Sequence, residues 1–119
     1  MIRAAIADPK SPHVVYRDSE ERQPITLVVR INFTLQHFAP LAGCENFHLR
    51  YQDVPLYNSI FRFDDQMLVT PHLFATPGSA APLLHLGRRR EDGMFSRFAG
   101  HFEDVWTTTK AIDQLSRET

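Results

Sequence analysis

The residue pattern predicts a single α/β (α+β) domain with a mixed sheet flanked by helices, and three observations carry that expectation. A short run rich in Ile and Ala, residues 2–7, is cut off by Asp8-Pro9-Lys10-Ser11-Pro12. Two stretches dense in aromatic, aliphatic and β-branched residues, 57–63 and 67–69, face each other across the polar turn Asp64-Asp65-Gln66. Phe95, Phe98, Phe102 and Val105 recur at helical spacing, with Trp106 beside them. Strand, helix, several strands and a closing helix follow one another with no internal repeat.

Residues 2–7 read as a buried strand, and the two prolines after it prevent its continuation. Residues 17–23 read as a polar stretch. Pro24 follows, a residue tolerated in a first helical turn. Leu27, Ile31, Leu35 and Phe38 then draw one apolar stripe along a helix that Pro40 and Gly43 end. Phe47, Leu49 and Tyr51 alternate with His48 and Arg50, the mark of a half-exposed strand. Residues 57–69 form the expected hairpin. Residues 74–82 are small and uncharged, hence a loop, and Leu83 to Leu86 form a short strand closed by Gly87. Arg88-Arg89-Arg90-Glu91-Asp92 reads as a solvated connector, because the acids dilute the basic run. The last helix carries the aromatic stripe. The domain spans residues 1–111, and 112–119 form a polar C-terminal tail. The expected core is Ile6, Leu27, Ile31, Leu35, Phe61, Leu68, Phe98, Phe102 and Trp106.

Composition excludes several classes. The chain has 119 residues, enough for one core. It carries 13 Lys and Arg against 14 Asp and Glu, a net charge of −1 that gives no global pull toward nucleic acid. With 43% hydrophobic and 23% charged residues it is neither disordered nor fibrous. A lone cysteine, Cys44, rules out an internal disulfide and fits a reducing compartment. The start lacks the apolar stretch of a signal peptide, and no window is long and apolar enough to span a membrane. A cytoplasmic protein is expected. The six His and one Cys show no ligand spacing, so neither metal nor cofactor is expected.

The segment Tyr57-Asn58-Ser59-Ile60-Phe61-Arg62-Phe63-Asp64 resembles the phospholipase D-like phosphodiesterases and nucleases, whose signature is His-x-Lys-x4-Asp. Tyr57 stands at the His position, Ser59 at the Lys position and Asp64 at the Asp position. The spacing is kept and two of three groups are exchanged. Ala7 to Pro12, Tyr57 to Asp65, Thr70-Pro71-His72, Pro82 to Leu86 and Phe102 to Trp106 together resemble a more specific module. It is the uncharacterised C-terminal domain of XRE-type helix-turn-helix regulators of actinobacteria, a phospholipase D-like half with an eroded motif. This sequence holds no helix-turn-helix segment before it, as in a stand-alone relative or a piece of a longer chain, so a regulator's DNA-binding role is not among the expectations for this segment.

The resemblance implies a ligand-binding, sensory or dimerisation module. Ligand-binding candidates are Asp8, Tyr57, Ser59, Asp64 and His72. A nucleophile acting on phosphorus needs a neutral ring nitrogen, a cation to hold the phosphate and an acid for the leaving group. A phenol at Tyr57 and a hydroxyl at Ser59 supply neither nitrogen nor cation, and strand alternation turns Arg62 to the opposite face. Two other readings stay open: Tyr57 and Ser59 as strand residues that bond locally, and an enzyme of altered chemistry. In the second, Tyr57 or His72 is the reactive group and Asp64 orients it. Asp8 and His72 fall at strand ends, where ligands collect in open sheets. The expected partners are a small-molecule ligand and a second copy of the chain, with neither membrane nor nucleic acid. The two copies are expected to meet near the altered motif through the loop 74–82.

Overall fold

The computed structural model describes residues 2–41, 43–89 and 91–112. Its architecture is α+β, and the strands divide between two small sheets rather than forming one. In the first sheet β1 (Ile2–Ala7) runs parallel to β2 (Phe47–Gln52), and β6 (Lys110–Ala111) lies antiparallel on the other side of β2. Parallel neighbours need a crossover. Helices α1 (Pro12–Glu21) and α2 (Leu27–Phe38) lie within it. Ile6, Leu49 and Tyr51 pack with them around a core of Ala7, Val14, Ile31 and Leu35.

Helix α1 corrects the reading of residues 17–23 as polar chain. The Ser11 hydroxyl accepts from the His13 amide at 3.1 Å, and Pro12 occupies the start of the helix, where its missing N–H costs nothing. The buried residues of α1 are Val14, Arg17 and Glu21. An ion pair takes the place of an apolar stripe, which is why apolar periodicity does not reveal the helix. Arg17 Nε donates to Glu21 Oε2 at 2.8 Å, and Arg17 Nη1 donates to the Leu73 carbonyl at 2.9 Å. The side chain thereby ties α1 to the chain leaving the second sheet. Helix α2 begins after Thr26, whose hydroxyl accepts from the Val29 amide at 3.3 Å. Pro24 therefore lies outside that helix and not in its first turn.

The second sheet is antiparallel, β3 (Asn58–Phe63), β4 (Gln66–Pro71) and β5 (Leu84–Gly87) in that order. Asp64 and Asp65 make the hairpin turn, with Asp64 in the left-handed region at φ 53°, which a short polar side chain tolerates. Met67 and Val69 turn inward onto Phe95, joined by Ile60, Leu84 and Leu86. Pleating then sends Phe61 and its cross-strand partner Leu68 to the other face. Phe61 is 62% exposed, against the expectation that it is buried.

Helix α3 (Met94–Thr108) spans both sheets. Phe95, Phe98 and Ala99 belong to the second core. Further along, Phe102 and Trp106 meet the first sheet through cations: the Arg3 guanidinium lies 5.1 and 5.4 Å from their ring centres, and that of Arg50 lies 4.7 Å from Trp106. Of the expected core, Ile31 and Leu35 are buried, while Ile6, Leu27, Leu68, Phe98, Phe102 and Trp106 are half-buried. Ile112 packs against the first core, one residue beyond the expected domain end. Residues 113–119 of the expected tail lie outside the described residues, as does Arg90 of the basic run. Among the described residues no helix is long and apolar enough to cross a membrane.

Candidate functional site

The site is built where β3 begins and β4 ends. The ladder pairs Asn58 with Pro71 and Ser59 with Thr70, and the His72 amide extends it by donating to the Tyr57 carbonyl at 3.1 Å. Pro71 is tolerated here because Asn58–Pro71 is a pair that exchanges no hydrogen bonds, so the missing N–H leaves nothing on β3 unsatisfied. His72 stands diagonally across from Ser59, within reach of a side-chain contact. Its Nε2 is 3.0 Å from Ser59 Oγ, and its Nδ1 is 2.9 Å from the Leu56 carbonyl.

The second of these contacts fixes the first. A carbonyl only accepts, so in the neutral ring Nδ1 carries the proton and Nε2 bears the lone pair. The Ser59 hydroxyl then donates to Nε2. Both side chains are half-buried.

On the other face of β3, Ile60 joins the Phe95 core and the Arg62 guanidinium lies 5.0 Å from the Phe95 ring centre, so Arg62 does point away from Ser59. Asn58 shares that face, and with Tyr57 it lines an open cavity of about 560 Å³ against α3. Met94 and Phe98 provide apolar wall, and Arg97 and His101 provide nitrogen donors. Tyr57 meets the His101 ring edge-on, with centroids 5.7 Å apart. Among the described residues Arg97 has no carboxylate partner.

The five expected ligand residues therefore separate. Ser59 and His72 come together, with Tyr57 joined to His72 through the backbone. Asp8 follows the end of β1 in the first sheet, where its Oδ1 accepts from the Lys10 amide at 2.9 Å. Asp64 sits at the hairpin tip, five residues from Ser59, a strand distance of about 17 Å. It cannot orient Tyr57 or His72 from there. The group that fixes the His72 ring is instead the Leu56 carbonyl. Sequence reasoning also missed Asn58, Met94, Arg97 and His101. The helical ones carried a signal, since 94, 97, 98 and 101 share one face of a helix.

Among the described residues no three His, Cys, Asp or Glu side chains converge as a metal site. Comparisons with family models, with curated proteins and with solved structures found no match for this chain.

Proposed function

We propose that the chain is a small-molecule recognition module, a phospholipase D-like half-domain in which phosphodiester chemistry has been lost. The cavity between the start of β3 and α3 carries this reading. It offers the cation of Arg97, the His101 ring, the Tyr57 phenol and the Asn58 amide beside the apolar surface of Met94 and Phe98. Such a lining suits an organic anion with a flat apolar body: the guanidinium meets the charge and the apolar wall takes the ring. Tyr57 and Ser59, at the positions of the family's His and Lys, support the loss of phosphodiester cleavage. The reading includes a cytoplasmic setting, consistent with the lone Cys44. It also includes a homodimer, and no direct contact with nucleic acid. Arg88, the start of the basic run, is already held by Asp65 at 3.2 Å and lies over the Phe95 ring.

Titration calorimetry with phenyl phosphate and with benzyl alcohol tests the recognition site. The anion is expected to bind and the neutral alcohol to bind at least about tenfold more weakly, with Arg97→Ala erasing the difference. Equal binding of the two probes, or an Arg97→Ala protein that keeps the preference, sinks the proposal. Bis(4-nitrophenyl) phosphate, single-stranded DNA and phosphatidylcholine are expected to stay uncleaved. Turnover that vanishes in Tyr57→Phe would establish the altered enzyme instead.

A further inference from the structure

The Ser59–His72 pair lies outside the recognition cavity, and its geometry points to chemistry of its own. We propose that Ser59 is an activated nucleophile that takes the acyl group of a carboxylic ester with an apolar acyl chain, with His72 as its base.

Three features combine in this assignment. First, the hydroxyl proton already points at a basic nitrogen: Ser59 Oγ lies 3.0 Å from His72 Nε2. Second, the base is oriented by a third group, the Leu56 carbonyl, which accepts from Nδ1 at 2.9 Å and holds the tautomer that leaves Nε2 free to accept. Nucleophile, base and orienting acceptor in series are three of the parts that serine acyl transfer uses. Third, the surroundings select the electrophile. Ser59, Phe61 and Phe63 of β3 share a face with Gln66, Leu68 and Thr70 of β4. β3 and β4 put no Lys or Arg there, and the His85 ring that β5 adds opposite Leu68 is engaged through Nε2 with Gln66 Oε1 at 2.7 Å, so this face favours a neutral carbonyl over a phosphodiester anion. Phe61 and Phe63 are 62% and 66% exposed, and with Leu68 they form an apolar track along which an acyl chain can lie.

In the acylation step Ser59 Oγ adds to the carbonyl carbon while its proton passes to His72 Nε2, and the carbonyl π pair moves onto oxygen. Collapse of the adduct restores the carbonyl and breaks the bond to the leaving alkoxide, which takes the proton back from the imidazolium. Water then adds to the acyl-serine, gives a proton to Nε2, and the acid departs as Ser59 regains its own. The sum is ester plus water to acid plus alcohol.

The test treats the full chain with an alkyl fluorophosphonate, which forms an Oγ–P bond as fluoride leaves, and maps the label by mass spectrometry. Label is expected on Ser59, absent in Ser59→Ala, and slower by about 100-fold or more in His72→Ala, the range that a general base supplies. Circular dichroism establishes that both variants are folded. 4-Nitrophenyl octanoate is expected to react at least about tenfold faster than the acetate, with the preference reduced in Phe61→Ser, because the longer chain buries more apolar surface. A wild-type protein labelled no faster than Ser59→Ala, or labelled elsewhere, overturns the assignment of the nucleophile. Equal rates with octanoate and acetate overturn the assignment of the apolar chain.

Discussion

Phe95 is 2% exposed, covered by Met67 and Val69 of the second core and bracketed by guanidinium groups, with Arg62 at 5.0 Å and Arg88 at 5.1 Å from its ring centre. Phe102, two turns further along the same helix, is only half-buried and lies beneath Arg3. The two phenylalanines share a sequence stripe but not an environment. Phe95→Ala removes a fully enclosed ring and is expected to cost about 3–5 kcal/mol, whereas Phe102→Ala should cost about 1–2 kcal/mol, since water already reaches part of its surface. Urea denaturation of both variants checks the order, and a larger loss at Phe102 would contradict the packing. The stripe as a whole was legible, because apolar residues at helical spacing are enough to define a face. Its division between core and cation contact was not, since it depends on which sheet residue each turn of the helix meets.

At the scale of elements, α3 is fastened to β1 by a bidentate pair. Arg3 Nη1 donates to Glu103 Oε2 at 2.9 Å and Nη2 donates to Oε1 at 2.5 Å. That hydrogen bonding holds the Glu103 carboxyl below the usual glutamate range and the Arg3 guanidinium above its own. A carboxyl that binds its proton less tightly when folded stabilises the fold above its unfolded pKa. The contribution is lost as pH falls through the lowered folded value, because the unfolded chain then takes up the proton first. Glu103 is half exposed, so the effect is at most about 1 kcal/mol and shrinks with salt. Glu103→Gln should therefore flatten the acid side of the stability profile and leave stability above neutral pH lower by that amount. An unchanged acid limb would show that the pair carries no stability. Helix α1 teaches a related lesson: its inward Arg17–Glu21 pair is buried, so a helix can present charge to the interior when the charges satisfy each other and nearby carbonyls.

The whole molecule is flat, with extents of 43 × 37 × 21 Å. Among the described residues two small cores replace one large one, and apolar side chains remain outside them: Phe61, Phe63, Phe74 and Leu83 are between 62% and 81% exposed. Phe74 opens the uncharged segment 74–82 and Leu83 follows it, so this is the edge across which two copies of the proposed dimer are expected to meet. A C2 arrangement places the same patch on both sides, and a durable contact should bury about 1,200–2,000 Å² in all. Light scattering at micromolar concentration should return twice the chain mass of 13.7 kDa. A mass of one chain would reject the dimer.

The sequence by itself determined the α+β class, β1, β2, the aromatic hairpin, β5, helix α2 and helix α3, because each rests on local chemistry: proline stops, alternation, a polar turn, apolar residues at helical spacing. It also placed Ser59 and Arg62 on opposite faces, since a strand's period is two. Tertiary structure alone decided the rest. The choice of Met67 and Val69 over Leu68 as the buried face depends on where Phe95 docks, and that exposes Phe61. The meeting of Ser59, His72 and the Leu56 carbonyl requires a hairpin register and a main-chain oxygen, and a main-chain acceptor has no letter in a sequence. Asp64 kept its motif spacing, yet a strand converts spacing into distance, which leaves it far from the groups it was expected to serve.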